Sequence, residues 1–238
     1  MNAAEPKLKL SVIVPCYNEK DTVLQVIDKV AALPLPMDKE LVIVCDGSTD
    51  GTRELLKERF PADTDLVKVI YHEKNLGKGA AVRSGAAAAA GDYLIVQDAD
   101  LELDPEDYRP LLEPILERRA EVVFGSRSRK GFAKLRFLSL LANHIVTGLT
   151  NLLYGSRLTD QACGYKVMPV RLFNELDLRS KGFEFCAEVT AKVLKTGRHQ
   201  ISEVDVDYHP RSYAQGKKIR WLDGFIVVWN LLKYRLTR

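Results

Sequence analysis

Residues 93–100, Tyr-Leu-Ile-Val-Gln-Asp-Ala-Asp, decide the fold and point to the chemistry. The apolar run predicts a buried strand, and Asp98 and Asp100 follow it two residues apart. In extended backbone, side chains at i and i+2 point to the same face, so the two carboxylates converge. Such hard oxygen ligands suit Mg²⁺ or Mn²⁺. The alternative for this pair is a solvated acidic turn ahead of a helix. Asp104 has a different role: it precedes Pro105 and is the predicted N-cap of that helix.

Strand and helix patterns alternate on both sides of this stretch. Apolar runs predict strands at residues 10–15, 41–44, 67–71, 93–96 and 121–125, with helical spacing between them. Continuous apolar strands separated by helices predict an α/β fold with a mostly parallel, Rossmann-like sheet that helices cover on both faces. Open sheets of this kind bind ligands at the carboxyl ends of their strands.

The second half of the chain is less regular. Residues 134–154 and 185–197 have helical patterns, and residues 201–206 alternate like a half-exposed strand. Because no repeat or linker separates the halves, we expect one domain over residues 8–210. A basic, amphipathic helical extension follows over residues 211–238, where a single acid, Asp223, stands among many cations.

Composition bounds the class of protein. The 238 residues are 46% hydrophobic and 28% charged, as in ordinary soluble globular proteins. A net charge of +3 does not indicate a nucleic-acid partner. The four cysteines show neither Cys-x-x-Cys nor zinc spacing, which favours a reducing cytoplasm. We find neither the apolar core of a signal peptide nor a run of the ~18 apolar residues that a spanning helix needs.

The loop after the first predicted strand carries an aromatic and an acidic side chain. It begins at Pro15, and Tyr17 offers a flat face on which a nucleobase can stack. Glu19 can hold a ribose hydroxyl. In the alternative interpretation, Asn18 caps the next helix and Tyr17 packs in the core.

The loops after the second and third strands favour close approach of a ligand. Asp46 precedes small residues and can accept a hydrogen bond from a base or a ribose, although turn chemistry also explains residues 48–52. Gly77 and Lys78 open a helix, and helix N-termini favour anions such as a diphosphate. The loop is neither a Walker A sequence nor a dinucleotide fingerprint, since Val82 stands where the third glycine belongs.

Taken together, these motifs resemble an inverting family 2 glycosyltransferase of the GT-A fold, and most closely the polyprenyl-phosphate (dolichol-phosphate-type) hexose synthases. The matching motifs are Val14-Pro15-Cys16-Tyr17-Asn18-Glu19, the loop Asp46-Gly47-Ser48-Thr49-Asp50-Gly51-Thr52, Asn75-Leu76-Gly77-Lys78-Gly79, and Asp98-Ala99-Asp100. The resemblance implies a UDP- or GDP-sugar bound across residues 15–19, 46–52 and 75–79. It further implies a metal on Asp98, Asp100 and Glu102, and an acceptor phosphate gripped by Arg127 and Arg211, with Arg136 and Lys217 as weaker candidates.

Two residues depart from the family pattern. Cys45 stands where the family usually has an aspartate, which changes part of the nucleotide contact. Glu102 replaces a glutamine and adds negative charge beside the leaving diphosphate. A phosphate acceptor is already anionic and needs no general base, whereas a hydroxyl acceptor would need one, and Glu184 or Glu188 can supply it. The alternative is that both glutamates have only a structural role.

The implied lipid acceptor requires access to a membrane surface. Residues 221–232 are apolar, have tryptophans near each end and are flanked by cations, as in segments that lie in the headgroup layer. We therefore expect peripheral binding at the cytoplasmic membrane face. The helix over 136–154 can shelter an isoprenoid chain, form a dimer interface or belong to the core, so homo-oligomerisation stays open. The competing functions are a transferase onto a saccharide hydroxyl and a non-catalytic nucleotide-sugar-binding protein.

Overall fold

The computed structural model describes residues 7–127, 137–182, 184–199, 201–211 and 221–237. The first half alternates strands and helices as the sequence predicts. Its elements are β1 Lys9–Cys16, α1 Val23–Ala32, β2 Asp38–Asp46, α2 Thr52–Arg59, β3 Val67–His72, α3 Lys78–Ala88, β4 Tyr93–Val96, α4 Tyr108–Leu116 and β5 Val122–Ser126. A 3₁₀ turn, Pro105–Asp107, precedes α4, and Asp104 caps it by accepting a hydrogen bond from the Glu106 amide, as predicted.

The second half adds elements that the apolar patterns did not reveal. Its elements are α5 Phe137–Tyr154, β6 Lys166–Pro169, α6 Val170–Glu175, α7 Phe185–Thr196, β7 Ile201–Asp205 and α8 Trp221–Leu236. We did not predict β6 or α6, because a four-residue strand and a six-residue helix are too short for a periodic signal.

The strands in the described ranges join one seven-stranded sheet in the order β3-β2-β1-β4-β6-β5-β7. The pairs β1–β2, β2–β3, β1–β4 and β5–β7 are parallel, whereas β6 runs antiparallel to both of its neighbours. The fold is therefore the mostly parallel α/β sheet that the sequence predicts. The chain moves outward from β1 to β3 and then returns to place β4 on the other side of β1, so a ligand-binding crevice is expected between the ends of β1 and β4.

The sheet separates two hydrophobic cores, because successive strand residues face opposite sides. On one side, Val12, Val14 and Ile43 pack with α1 and α4. On the other side, Ile13 and Val42 pack with α3 and α7. The central parts of β1, β2 and β4 are apolar because both of their faces are buried.

The C-terminal helix α8 is packed against the domain. Leu231 and Tyr234 lie with Val146 of α5 and with Ala187 and Ala191 of α7 in a third buried cluster. The Tyr154 hydroxyl donates to the Leu231 carbonyl at 2.7 Å, which fastens α5 to α8. The boundary at residue 211 stays a prediction. Among the helices of the described ranges, none has the length and apolar character that crossing a membrane requires.

Candidate active site

The carboxyl ends of β1, β2 and β4 gather most of the predicted site residues. Asp98 and Asp100 follow β4, but the extended backbone that we predicted for them is wrong, since the strand ends at Val96. A turn follows, with Leu101 at a φ of 59° and the Glu102 amide donating to Asp100 Oδ1 at 3.0 Å. The two carboxylates still interact, because the charge of Asp98 contributes to raising the pKa of Asp100.

Lys78 joins this pair of carboxylates. Its ammonium lies 2.6 Å from Asp98 Oδ1 and 2.8 Å from Oδ2. Burial alone would lower the pKa of Lys78, but the carboxylate of Asp98 raises it overall, so the side chain is cationic. Lys78 is the first residue of α3, where the sequence predicts an anion site.

Asp100 is the most perturbed acid of the site. Burial raises its pKa to about 7, helped by the negative charges of Asp98 and Glu102. The carboxylate of Glu102 is held elsewhere: Oε2 accepts from the Tyr208 hydroxyl at 3.0 Å and Oε1 from the Arg211 amide at 2.8 Å. Across the described ranges, no three His, Cys, Asp or Glu side chains are grouped so that they could hold a metal ion. A ligand role for Glu102 therefore stays a prediction.

Asp46 anchors the neighbouring loop. Its carboxylate accepts from the amides of Leu76 and Gly77 at 2.9 and 2.8 Å and lies 2.7 Å from His72 Nδ1. His72 Nε2 in turn lies 2.9 Å from the Ser84 hydroxyl. These contacts hold the N-terminus of α3 against the end of β2. Asp46 therefore has a structural role. Its contact with a base or a ribose stays a prediction.

The glycines of the Gly77 loop are required by packing. A Cβ on Gly77, which has a φ of 95°, would lie 2.3 Å from the Lys181 carbonyl, and one on Gly79 would lie 2.3 Å from the Ser180 carbonyl. The Gly79 amide donates to the Lys181 carbonyl at 2.7 Å. Residues 180–182 therefore lie directly on the loop that we predicted to bind a diphosphate, a contact that the sequence did not reveal.

Glu184 and Glu188 both organise this contact. Glu184 Oε1 accepts from the Lys181 and Gly182 amides at 3.2 and 3.0 Å. Glu188 is fully buried, accepts from the Arg179 and Ser180 amides and pairs with Lys192 at 2.8 Å. Burial alone would raise the pKa of Glu188, but these donors lower it. A carboxylate held in this way is a weak base, so the geometry favours the structural interpretation of Glu188.

Arg127 is locked by an acid to which we assigned no role. Asp160, which is buried, accepts from Arg127 Nε at 2.6 Å, from Nη2 at 2.9 Å and from its backbone amide at 3.0 Å. The guanidinium also lies over the Tyr208 ring, 5.0 Å from its centroid. Spacing along the chain does not indicate these contacts, and only the fold reveals that Asp160 and Tyr208 orient Arg127.

Arg211 connects two predicted subsites. Its guanidinium donates to Glu19 Oε2 at 3.0 Å, and its backbone amide donates to Glu102. Glu19 was predicted to hold a ribose and Arg211 an acceptor phosphate, so these two subsites adjoin. The weaker candidates Arg136 and Lys217 lie outside the described residues.

The loop after β1 differs in detail from the prediction. Pro15 is buried in β1 opposite Val44, and Tyr17 beyond it is half-buried. Asn18 does not cap α1: its side chain accepts from the Thr49 amide at 2.9 Å and so ties the loops after β1 and β2 together.

Cys45, the departure from the family pattern, lies opposite Cys16 in the register of β1 and β2. A hydrogen bond from the Cys16 thiol is the main cause that lowers the pKa of Cys45 to about 6, and Ser48 contributes. A thiol of lowered pKa therefore stands where the family usually has a carboxylate.

Comparison with known proteins identifies the class of enzyme. Residues 11–177 match the model of the glycosyl transferase family 2, so the chain belongs to this family and is a glycosyltransferase. The dodecaprenyl-phosphate galacturonate synthase of Rhizobium johnstonii is 27% identical over 214 residues, which are 88% of this chain and 62% of that protein. The UDP-N-acetylglucosamine–dolichyl-phosphate N-acetylglucosaminyltransferase of Methanococcus voltae is 27% identical over 95% of this chain and 96% of its own length.

A solved structure supports the fold. The glucosyl-3-phosphoglycerate synthase of Mycobacterium tuberculosis, in complex with Mn²⁺, UDP and phosphoglyceric acid, superposes with a TM-score of 0.69. The superposition covers 97% of this chain and 80% of that one at 21% identity. The GT-A fold expected from the motifs is thereby confirmed.

Proposed function

We propose that this glycosyltransferase moves a hexose from a UDP- or GDP-linked donor to a polyprenyl phosphate at a membrane surface, with inversion at the anomeric carbon. The two relatives named above carry a polyprenyl phosphate in their names. The observation that carries the proposal is the cluster of Lys78, Asp98 and Asp100 at the point where the strand order reverses. Glu102, beside this cluster, contacts Arg211 directly and Arg127 through Tyr208. The site combines groups that bind a diphosphate with groups that bind a second phosphate.

Asp98 and Asp100 fit a divalent cation, Mg²⁺ or Mn²⁺. Both offer hard carboxylate oxygens. Burial raises the pKa of Asp100, and the negative charges of Asp98 and Glu102, which a cation would offset, add to the shift. When bound, the cation would stabilise the negative charge that develops on the leaving diphosphate. The carboxylate of Glu102, the third residue of the predicted set, already accepts from Tyr208 and Arg211.

The side chains of the site supply binding and electrostatics. Lys78, at the N-terminus of α3, holds positive charge where the diphosphate leaves. Arg127 and Arg211 flank the site and attract the acceptor phosphate, which attacks as an anion without a general base. Because this acceptor needs no base, Glu184 and Glu188 can keep their hydrogen bonds to the amides of residues 179–182.

Two helices offer a surface for the lipid. Phe225 and Trp229, one turn apart on α8, are 69% and 67% exposed, and Leu141 and Ile145 are similarly exposed on α5. These helices pack against each other, and the chain around α8 is basic. An apolar surface flanked by cations suits peripheral binding to an anionic membrane, on its cytoplasmic face. Homo-oligomerisation through the same surface is the alternative.

The experiment is a donor panel analysed by mass spectrometry. Purified protein with Mg²⁺ or Mn²⁺ is given UDP- or GDP-linked hexoses together with undecaprenyl phosphate, dolichyl phosphate or oligosaccharides. A hexosyl-phosphoryl-polyprenol product supports the proposal. Glycosylation of the oligosaccharides alone would instead identify a transferase onto saccharide hydroxyls, and no product from any pair would favour a non-catalytic binding protein.

Matched variants test the cation. Asp98→Asn and Asp100→Asn should each reduce transfer at least about a hundredfold, because each removes charge that the cation needs. Asp65→Asn, which neutralises an exposed acid on the loop before β3, is the control and should be as active as the parent. Full transfer in excess chelator, or full activity of both site variants, would contradict the metal-dependent mechanism.

A further inference from the structure

Two buried amide side chains lack hydrogen-bonding partners. Asn143 on α5 is 8% exposed, and neither its Oδ1 nor its Nδ2 has a partner in the described part of the chain. Gln161, which follows the acid that locks Arg127, is 2% exposed, and its Oε1 is equally without a partner there. Buried polar atoms are nearly always hydrogen-bonded, so such a pair indicates a position where a ligand or ordered water supplies the bonds.

Gln161 contacts the face of α5 on which Asn143 also lies. Asn143 and Thr147 are four residues apart, so they share one face of the helix. Thr147 is buried, and its hydroxyl accepts from the backbone N–H of Gln161 at 3.3 Å. The face of α5 that carries Asn143 therefore lies against Gln161.

The loop over residues 160–164 borders the candidate active site at both ends. At one end, Asp160 holds Arg127. At the other end, a Cβ on Gly164 would lie 3.2 Å from Asp98 Oδ2. Gln161 is three residues from Gly164, a chain distance of at most about 10 Å. The buried ammonium of Lys166 donates to the carbonyls of Gln161 and Cys163 at 3.0 and 2.5 Å, which holds the loop in place.

The unpartnered atoms define the chemistry of the missing group. Asn143 Oδ1 and Gln161 Oε1 can only accept hydrogen bonds, whereas Asn143 Nδ2 can only donate. A phosphate dianion has no proton to give and cannot satisfy the two carbonyl oxygens. A sugar hydroxyl donates one hydrogen bond and can also accept, so two hydroxyls of one sugar can satisfy all three atoms.

We infer that Asn143 and Gln161 bind hydroxyl groups of the donor hexose and select which hexose is transferred. The inference rests on the proposed function, because it assumes a sugar attached to a diphosphate at Asp98. A site built to bond a hydroxyl discriminates strongly against a sugar that lacks it, since the buried amide is then left unpaired. The loop thus joins sugar selection to the orientation of Arg127.

Calorimetric binding tests the inference. UDP, GDP, UDP-glucose, UDP-N-acetylglucosamine and GDP-mannose are titrated, with Mn²⁺, into the parent, Asn143→Leu and Gln161→Met. For the donor that the parent accepts, each variant should lower the ratio of nucleotide-sugar affinity to bare-nucleotide affinity by roughly tenfold. Bare-nucleotide affinity should be unchanged. An unchanged ratio in both variants would overturn the inference and leave the proposed function standing, whereas failure of the parent to bind any nucleotide would remove the proposed function itself.

Asn151→Leu is the matched control on the same helix. Asn151 is hydrogen-bonded to the Leu158 carbonyl and amide and to Ser156, so its loss should lower Tm and leave the affinity ratio unchanged. Asn143→Leu should keep or raise Tm, because it removes polar atoms that have no partner. A fall in Tm for Asn143→Leu as large as that for Asn151→Leu, with an unchanged ratio, would assign Asn143 a structural role only.

The parent protein supplies a check that needs no variant. Deoxy analogues of the accepted donor, each lacking one hydroxyl, are titrated in the same way. At least one should bind roughly tenfold more weakly than the complete sugar. Equal binding of every deoxy analogue would overturn the inference, since no hydroxyl would then be recognised.

Discussion

The ion pair between Arg127 and Asp160 leads to the sharpest prediction. Asp160 is fully buried and takes three hydrogen bonds from Arg127, whose side chain is 12% exposed. Asp160→Asn preserves the shape but leaves the guanidinium without its counter-charge. Removing one partner of such a buried pair costs about 3–5 kcal/mol. For a chain of this size, Tm should fall by roughly 6–20 °C.

The assay is urea unfolding, monitored by circular dichroism, of the parent, Asp160→Asn, Arg127→Met and the double variant. The double variant should be more stable than the sum of the single effects predicts, with an interaction energy of about 1–3 kcal/mol. An interaction energy below about 0.5 kcal/mol would refute the view that Asp160 holds Arg127. Transfer by folded Asp160→Asn should also require more polyprenyl phosphate, because Arg127 is then no longer oriented.

The same pair predicts an acid dependence. Burial alone would raise the pKa of Asp160, but the hydrogen bonds and charge of Arg127 hold it below its ordinary value. The stabilisation is therefore complete above the unfolded pKa, about pH 4, and is lost as the pH falls through the lower folded pKa. Asp160→Asn should lack this part of the acid dependence, as measured by the free energy of unfolding between about pH 2 and pH 5. An unchanged pH dependence would show that Asp160 is not perturbed.

Three further predictions concern packing, the glutamates and the membrane. Gly79→Ala should lower Tm and transfer together, because its methyl group would meet the Ser180 carbonyl; a variant with the parent's Tm would contradict this packing. Glu188→Gln should cost about 1–3 kcal/mol in urea unfolding, because it removes the charge that pairs with Lys192, yet it should leave the pH profile of transfer unchanged. Loss of the acidic limb of that profile, the fall in rate at low pH, would instead identify Glu188 as a catalytic base. Phe225→Ser with Trp229→Ser should weaken flotation with anionic vesicles at least about tenfold, with Asp65→Asn as control; flotation equal to the parent's would contradict the proposed surface.

The sequence predicted the half of the fold whose signals are local. Apolar runs identified β1 to β4, because parallel strands that are buried on both faces are mostly apolar. Asp98, Asp100, Lys78 and the loops after the strands could be placed near one another by the rule that parallel strands end at one edge. Short elements such as β6, whose partners lie far away in the chain, have no comparable signal.

The roles of individual side chains depended on tertiary contacts. Spacing alone could not tell that Asp46 holds the Gly77 loop or that Glu188 holds residues 179–180, because each carboxylate finds its partners only after folding. The same applies to Asp160, which lies 33 residues from Arg127 in the chain. Local periodicity thus indicated the strands and the edge of the sheet at which they end, and the motifs at that edge indicated the family by resemblance. Which carboxylates are committed to protein donors was decided by the tertiary structure, since hydrogen bonds between distant segments have no periodicity along the chain.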